Sequence, residues 1–325
     1  RDWSSDVCSS DLNLTSYVFG MHLDYDPALD PYESDLHSRE VGDFEVEQPF
    51  RRYARIWLPG DIEKAAELDP SGTEIPHNLK LPSHGVRVYR EYTLFAHFLF
   101  LQRLLPGTQK ILFFLDQEPG IRGACFTAFR DWVREGRAEA FLVRIDKSLT
   151  VDDKKLALAS REQLLAKAGK HLGITSRWKI AHALMLKEYE QLKKTEKKAQ
   201  ARWVRHPLPH MGEPEKAVCY LSDRREMPSD TVIDMMLHGS LHAVDRYFMQ
   251  LRRRVSLLER PIQTPSAMRT WHGGSAYNPE VAAKIMDIFR VAFNFTIIGK
   301  GQKTPAMRLK LASRPAALDE ILRFV

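Results

Sequence analysis

An α/β fold, a mixed sheet flanked by helices, is the class this sequence predicts, and three observations carry it. Residues 110–115, apolar from Ile111 to Leu115, have the pattern of a strand buried on both faces, and 140–145 read as another strand. Segments 87–105, 122–134, 231–259 and 279–295 carry apolar residues at helical spacing. The resulting order is strand, long helix, strand, helix, strand, helical insertion and helix, an alternation that places helices on the faces of a sheet.

Taken in order, residues 17–23 (Tyr-Val-Phe-Gly-Met-His-Leu) are rich in β-branched and aromatic side chains and read as a short strand. The acidic stretch 24–47 begins as a loop because of Pro27 and Pro31, residues 51–68 read as partly helical, and 69–84, with Pro70, Gly72, Pro76 and Pro82, read as a loop. The helix over 87–105 is closed by Pro106-Gly107, and the one over 122–134 ends near Gly136. Residues 151–205 are predicted to be a basic helical insertion, broken around 169–176 and separate from the sheet. Residues 218–221 read as a short strand. A single helix over 231–259 is stopped by Pro261, and the basic, Gly-marked tail 299–314 is expected to lie draped over the surface.

Composition narrows the class of function. The 325 residues contain no run of 18 or more apolar positions, so no membrane span is expected. Three cysteines, at 8, 125 and 219, have no paired spacing, which disfavours a disulfide framework and fits a reducing cytoplasm. The net charge of +6 is unevenly spread. Residues 13–50 hold nine acids and one base, whereas 177–205 hold nine bases and three acids and 246–325 fourteen bases and five acids. Basic blocks of this kind suit a polyanion such as double-stranded DNA.

Two acids stand out. Asp116 directly follows the 110–115 strand, and the carboxyl ends of strands are where α/β folds place ligand groups. Asp245 lies on the predicted 231–259 helix, on the flank of a stripe formed by Leu241, Val244, Phe248, Leu251, Val255 and Leu258, about 40–60° from Leu241 and Phe248. Arg252, two turns on, returns to nearly the same face and suits a phosphate contact. Arg253 turns about 80° from Asp245 and Arg254 about 180°. Carboxylates prefer hard cations such as Mg²⁺ or Mn²⁺, and phosphoryl transfer often uses two such ions clamped by about three acids. Glu259 is a rival acid at the helix end, where its charge opposes the helix dipole and Arg260 offers a local partner. His238 and His242, spaced i, i+4, are read as packing or DNA-contact residues.

In sequence order, Leu115-Asp116, the run 245–252 (Asp-Arg-Tyr-Phe-Met-Gln-Leu-Arg), Tyr277-Asn278-Pro279 and Thr304-Pro305-Ala306 resemble the DDE/DDD catalytic domain of insertion-sequence transposases and retroviral-type integrases. The resemblance covers most of residues 13–314, with Asp in place of Glu at 245 and Arg in place of Lys at 252. It implies an RNase H-like fold, with Asp116 and Asp245 as the second and third catalytic and metal-binding acids. It also implies metal-dependent cleavage of transposon-end DNA followed by attack of the freed 3′-hydroxyl on target DNA. Arg252, Arg253, Lys300, Lys303, Arg308 and Lys310 are then candidate nucleic-acid contacts, the partners are transposon-end and target duplexes with a possible second copy of the chain, and the location is the prokaryotic cytoplasm, at the nucleoid. A hydrolytic nuclease on the same fold and a non-catalytic nucleic-acid-binding remnant are the alternatives.

Two departures accompany the resemblance. The 128 residues between Asp116 and Asp245 exceed the family's compact spacing, and the insertion accounts for them. Residues 2–12 match the translation of a short-read sequencing adapter, and they occupy the place where the family's first acid is expected. Asp11 stands near that place only by accident of the adapter frame, and Asp24 and Asp26 come too late. The expectation is therefore that the first acid is missing, with any upstream DNA-binding domain, and that the chain is inactive in this form. The expected organisation is 1–12 adapter-like, 13–150 first part of the catalytic domain, 151–215 insertion, 216–262 end of the catalytic domain, and 263–325 C-terminal helix and basic tail.

Overall fold

The computed structural model describes residues 7–61, 84–118, 120–195, 202–222, 227–258, 262–263, 270–271 and 278–323. Two compact units emerge: residues 102–243, and residues 1–101 together with 244–325. The chain passes between them within the helices Arg90–Leu104 and His242–Arg254. The architecture is mixed α/β, as expected; Glu259, Tyr277 and most of the 69–84 loop lie outside the described residues.

The 102–243 unit is built on a four-stranded mixed sheet. Ile111–Leu115 lies at one edge and pairs in parallel with Ala138–Arg144, from Ile111 opposite Ala138 to Leu115 opposite Leu142. Ala138–Arg144 pairs antiparallel with Ala217–Tyr220, and that strand with Trp203–Arg205. The helices Ile121–Ala128 and Arg130–Glu135 make the crossover between the parallel strands that such pairing needs. Gly136 closes the second helix at φ 80°, a left-handed conformation that glycine adopts without a Cβ penalty.

The basic helical segment is not separate from the sheet. Val151–Leu172 starts with a capping box between Thr150 and Asp153 and ends at the left-handed Gly173. Arg177–Thr195 follows, and the pair covers one face of the sheet. Leu165, Ile180, Ala181, Met185 and Tyr189 from the helices share a core with Phe141, Val143, Val204 and Val218 from the strands. Each large apolar side chain buried there contributes about 1.5–3 kcal/mol, far more than helix propensity provides. The expectation of a helical insertion through residue 205 is corrected accordingly: Trp203–Arg205 is a strand, recruited by pairing Val204 with Val218.

In the other unit, Val7–Asp11 and Val18–Leu23 form an antiparallel hairpin, so adapter-like residues serve as its first strand. The helix Pro279–Phe295, capped by Asn278, packs on it through Ala282, Met286, Phe289 and Phe293. Asn294, buried, receives a hydrogen bond from the Val18 N–H at 2.9 Å and donates to the Val18 carbonyl at 2.8 Å, standing in for a neighbouring strand. The tail is less superficial than expected. Thr304, Pro305 and Ala306 are buried, and Thr304 caps the short helix Pro305–Arg308.

The predicted 231–259 helix is two helices, Ser229–Met236 and His242–Arg254. Hydrogen bonding explains the break. Glu213, from the preceding loop, accepts from the Ser240 hydroxyl at 2.9 Å and from the Leu241 N–H at 2.6 Å. The second helix thus begins on a buried carboxylate, which also complements its dipole.

Candidate active site and nucleic-acid interface

Asp116 stands where the sequence places it, directly after Ile111–Leu115 at the carboxyl end of the parallel pair. Its side chain is 48% exposed; Oδ1 accepts from the Gln117 N–H at 2.7 Å, and Oδ2 lies 3.8 Å from Lys147 Nζ. Lys147 comes from the loop after the neighbouring strand, so parallel pairing brings the acid and the base to one sheet edge. Sequence reading missed Lys147 because pairing is a long-range fact. Beside it, Asp146 accepts from the Ser148 hydroxyl at 2.6 Å and N–H at 2.9 Å, which hold its carboxyl below the usual carboxylate range.

Asp245 lies in the first turn of His242–Arg254 and is exposed, not half-shielded as expected. The apolar face is rotated from the predicted stripe. Leu241, Leu251 and Leu258 are buried, Val244, Phe248 and Val255 only partly so, and Tyr247 is fully buried. The Tyr247 ring meets Phe293 at 4.9 Å and Phe289 at 5.7 Å, so its large apolar area sets the face. Asp245 is about 160° round the helix from Tyr247. Asp116 belongs to the 102–243 unit and Asp245 to the other.

His238 and His242 do not share a helix, because the break falls between them. His238 packs against Trp178 at 5.1 Å, and His242 against His210 at 4.4 Å. Asp11 has its Oδ1 shut off from solvent without a partner, and burial pushes its carboxyl up to about 8 despite a Ser9 hydrogen bond. A carboxyl protonated near neutrality is ill suited to hold a hard cation.

Of the predicted basic contacts, Arg253, Lys303 and Lys310 are exposed, and Arg252 and Arg308 are half-buried. Lys300 lies in the turn Lys300–Gln302, between Gly299 and Lys303. Arg308 Nη1 donates to the Thr15 carbonyl at 3.1 Å and Nη2 to the Lys303 carbonyl at 3.3 Å.

Two buried polar clusters have no sequence signature. Glu213 and Lys216, both almost fully buried, form an ion pair at 2.8 Å. Burial opposes the Glu213 charge, yet Lys216 and the hydrogen bonds from Lys216, Leu241 and Ser240 outweigh it and hold the carboxyl below its ordinary value. In the other unit, His22 and His97 share a hydrogen bond between their Nδ1 atoms at 2.7 Å, with His97 buried.

Asp116 and Asp245 carry oxygen donors of the kind Mg²⁺ and Mn²⁺ prefer. Asp116 faces a lysine ammonium, and no group of three or more His, Cys, Asp or Glu suited to a metal occurs among the described residues. Comparisons with protein-family models, curated proteins and solved structures gave no match. Among the described residues, no helix is long and apolar enough to cross a membrane.

Proposed function

We propose that this chain handles DNA as an insertion-sequence transposase of RNase H-like type does, with Asp116 and Asp245 as the acids of its phosphoryl-transfer chemistry. The observation that supports it best is Asp116: an exposed carboxylate immediately past a strand paired in parallel, at the sheet edge where α/β folds carry their chemistry. Asp245, exposed at the start of a helix whose last turn is Arg252, Arg253 and Arg254, supports the same reading. Such a helix offers an acid at one end and phosphate contacts at the other. Carboxylates at these two positions would suit a hard divalent cation, which would supply charge stabilisation for phosphoryl transfer.

The test is cleavage and joining of duplex DNA in the presence of Mg²⁺ or Mn²⁺. It is run on this chain and on its single-residue variants. Asp116→Asn and Asp245→Asn should each abolish strand cutting; unchanged cutting in either variant removes that residue from the chemistry. Cutting without joining of a pre-cleaved end would indicate a nuclease. A second reading, a nucleic-acid-binding protein without catalysis, draws on the Asp116–Lys147 pairing, which occupies the acid with a cation. Duplex binding with no cutting would favour it.

A further inference from the structure

We propose that Arg246 and Arg308, set over the 299–303 loop, form a binding site for a backbone phosphate of nucleic acid. The two side chains come from distant parts of the sequence and meet at Gly299. Nη2 of Arg308 lies 2.6 Å, and Nη2 of Arg246 3.6 Å, from the point that a Cβ on residue 299 would occupy. The two guanidinium groups are therefore within about 6 Å of each other. Among the described residues no carboxylate forms an ion pair with either, whereas Lys284 in the same unit pairs with Glu280 at 2.6 Å.

Arg308 is held in place. The Thr15 and Lys303 carbonyls take its two terminal nitrogens, and its Nε is buried with no acceptor. Burial first, and the neighbouring Arg246 charge second, lower its proton affinity below the ordinary arginine value, as two cations with no anion between them require. The loop beneath is tightly folded: the Gly299 N–H donates to the Lys303 carbonyl at 3.1 Å, and Gly301 takes a left-handed turn at φ 74°. Gly299 itself is not strained; its missing side chain leaves the space that Arg308 uses.

Paired guanidinium groups recognise oxyanions by parallel N–H donors, and phosphoryl oxygens are the commonest such partner. A phosphodiester and free phosphate present the same oxygens. The phosphodiester is favoured here because exposed Lys303, at the end of the loop, and exposed Lys310, two residues past Arg308, add positive charge that an extended polyanion would use. The assignment rests on the proposed function for its ligand, and it places a phosphate contact at the residue following Asp245.

The test measures binding of a short fluorescent DNA duplex as a function of salt. The proteins are the wild type, Arg246→Gln, Arg308→Gln, Gly299→Ala and the control Lys284→Gln. Losing one phosphate contact should lower the salt slope by about 0.9 and weaken binding about eightfold near 0.1 M salt. Arg246→Gln and Arg308→Gln should each do so. Gly299→Ala, which displaces the Arg308 guanidinium without changing charge, should weaken binding in part, and Lys284→Gln should match the wild type. Arg246→Gln removes no described hydrogen bond, so it keeps the test valid if Arg308→Gln misfolds. Wild-type affinity and slope in a folded Arg246→Gln variant would overturn the site. Binding of inorganic phosphate, followed by ³¹P line broadening, separates the two sources. Its loss in the arginine variants with duplex binding unchanged would overturn the nucleic-acid assignment. If the expected pattern holds while neither acid affects cutting, the proposed function fails and the phosphate site stands.

Discussion

Glu213→Ala offers the sharpest test of how the 102–243 unit is held together. The substitution strands the Lys216 ammonium, whose side chain is 7% exposed, without its partner at 2.8 Å. It also removes the acceptor for the Leu241 N–H and the Ser240 hydroxyl, which start the helix carrying Asp245. Breaking a buried ion pair from one side costs about 3–5 kcal/mol, because desolvation of the remaining charge is no longer offset. A domain is stable by only about 5–15 kcal/mol, so the unit should become marginal. Removing both charges, as Glu213→Leu with Lys216→Met, should cost much less, since replacing a buried pair by apolar groups is often close to neutral. The pH dependence follows from the depressed Glu213 carboxyl. Its contribution is present above the unfolded value near 4.5 and is lost as pH falls through the lower folded value. Hydrogen exchange read by mass spectrometry resolves the two units separately, which a single melting curve would not. A loss below about 1 kcal/mol for Glu213→Ala, or an equal loss in the double variant, would refute the reasoning.

Other outcomes follow from the same geometry. Burial first, and the His22 charge second, push His97 down to about 3. The unfolded imidazole takes up a proton near 6.5, so its unit should lose stability as pH falls from about 6.5 toward 3, on the order of 5 kcal/mol in total. Asp287 and Arg290 act on His22 in opposite directions and leave that sign unchanged. Acid titrations of His97→Gln should be flatter, and an unchanged pH profile would contradict the assignment. Asp116→Asn and Asp245→Asn should alter stability by less than about 0.5 kcal/mol in urea unfolding, since both side chains are exposed, so any loss of cutting would report chemistry. Gly136→Ala should cost about 1–2 kcal/mol, because residue 136 must keep φ near 80°; a neutral result would mean that the turn rearranges.

Local signals in the sequence located the strand before Asp116, the helix Pro279–Phe295 and the Gly136 stop, because each depends on neighbours within one or two turns. The same signals failed at the 231–259 segment. Helical periodicity runs through it, but the break at residues 237–241 is anchored by Glu213, 28 positions from Leu241. They also placed Asp245 on the wrong flank, since hydropathy ranks Tyr247 below Val244 while packing against Phe289 and Phe293 buries it completely.

By itself, the sequence determined the α/β class, the strand-end position of Asp116 and the segregation of charge into basic blocks. Periodicity and composition are read from adjacent residues and need no knowledge of what packs where. Only the tertiary structure decided that the basic helices cover the sheet, that Lys147 stands beside Asp116, and that Arg246 meets Arg308 at Gly299. Those facts come from strand pairing and side-chain packing between residues far apart in the chain, where no local pattern encodes the partner.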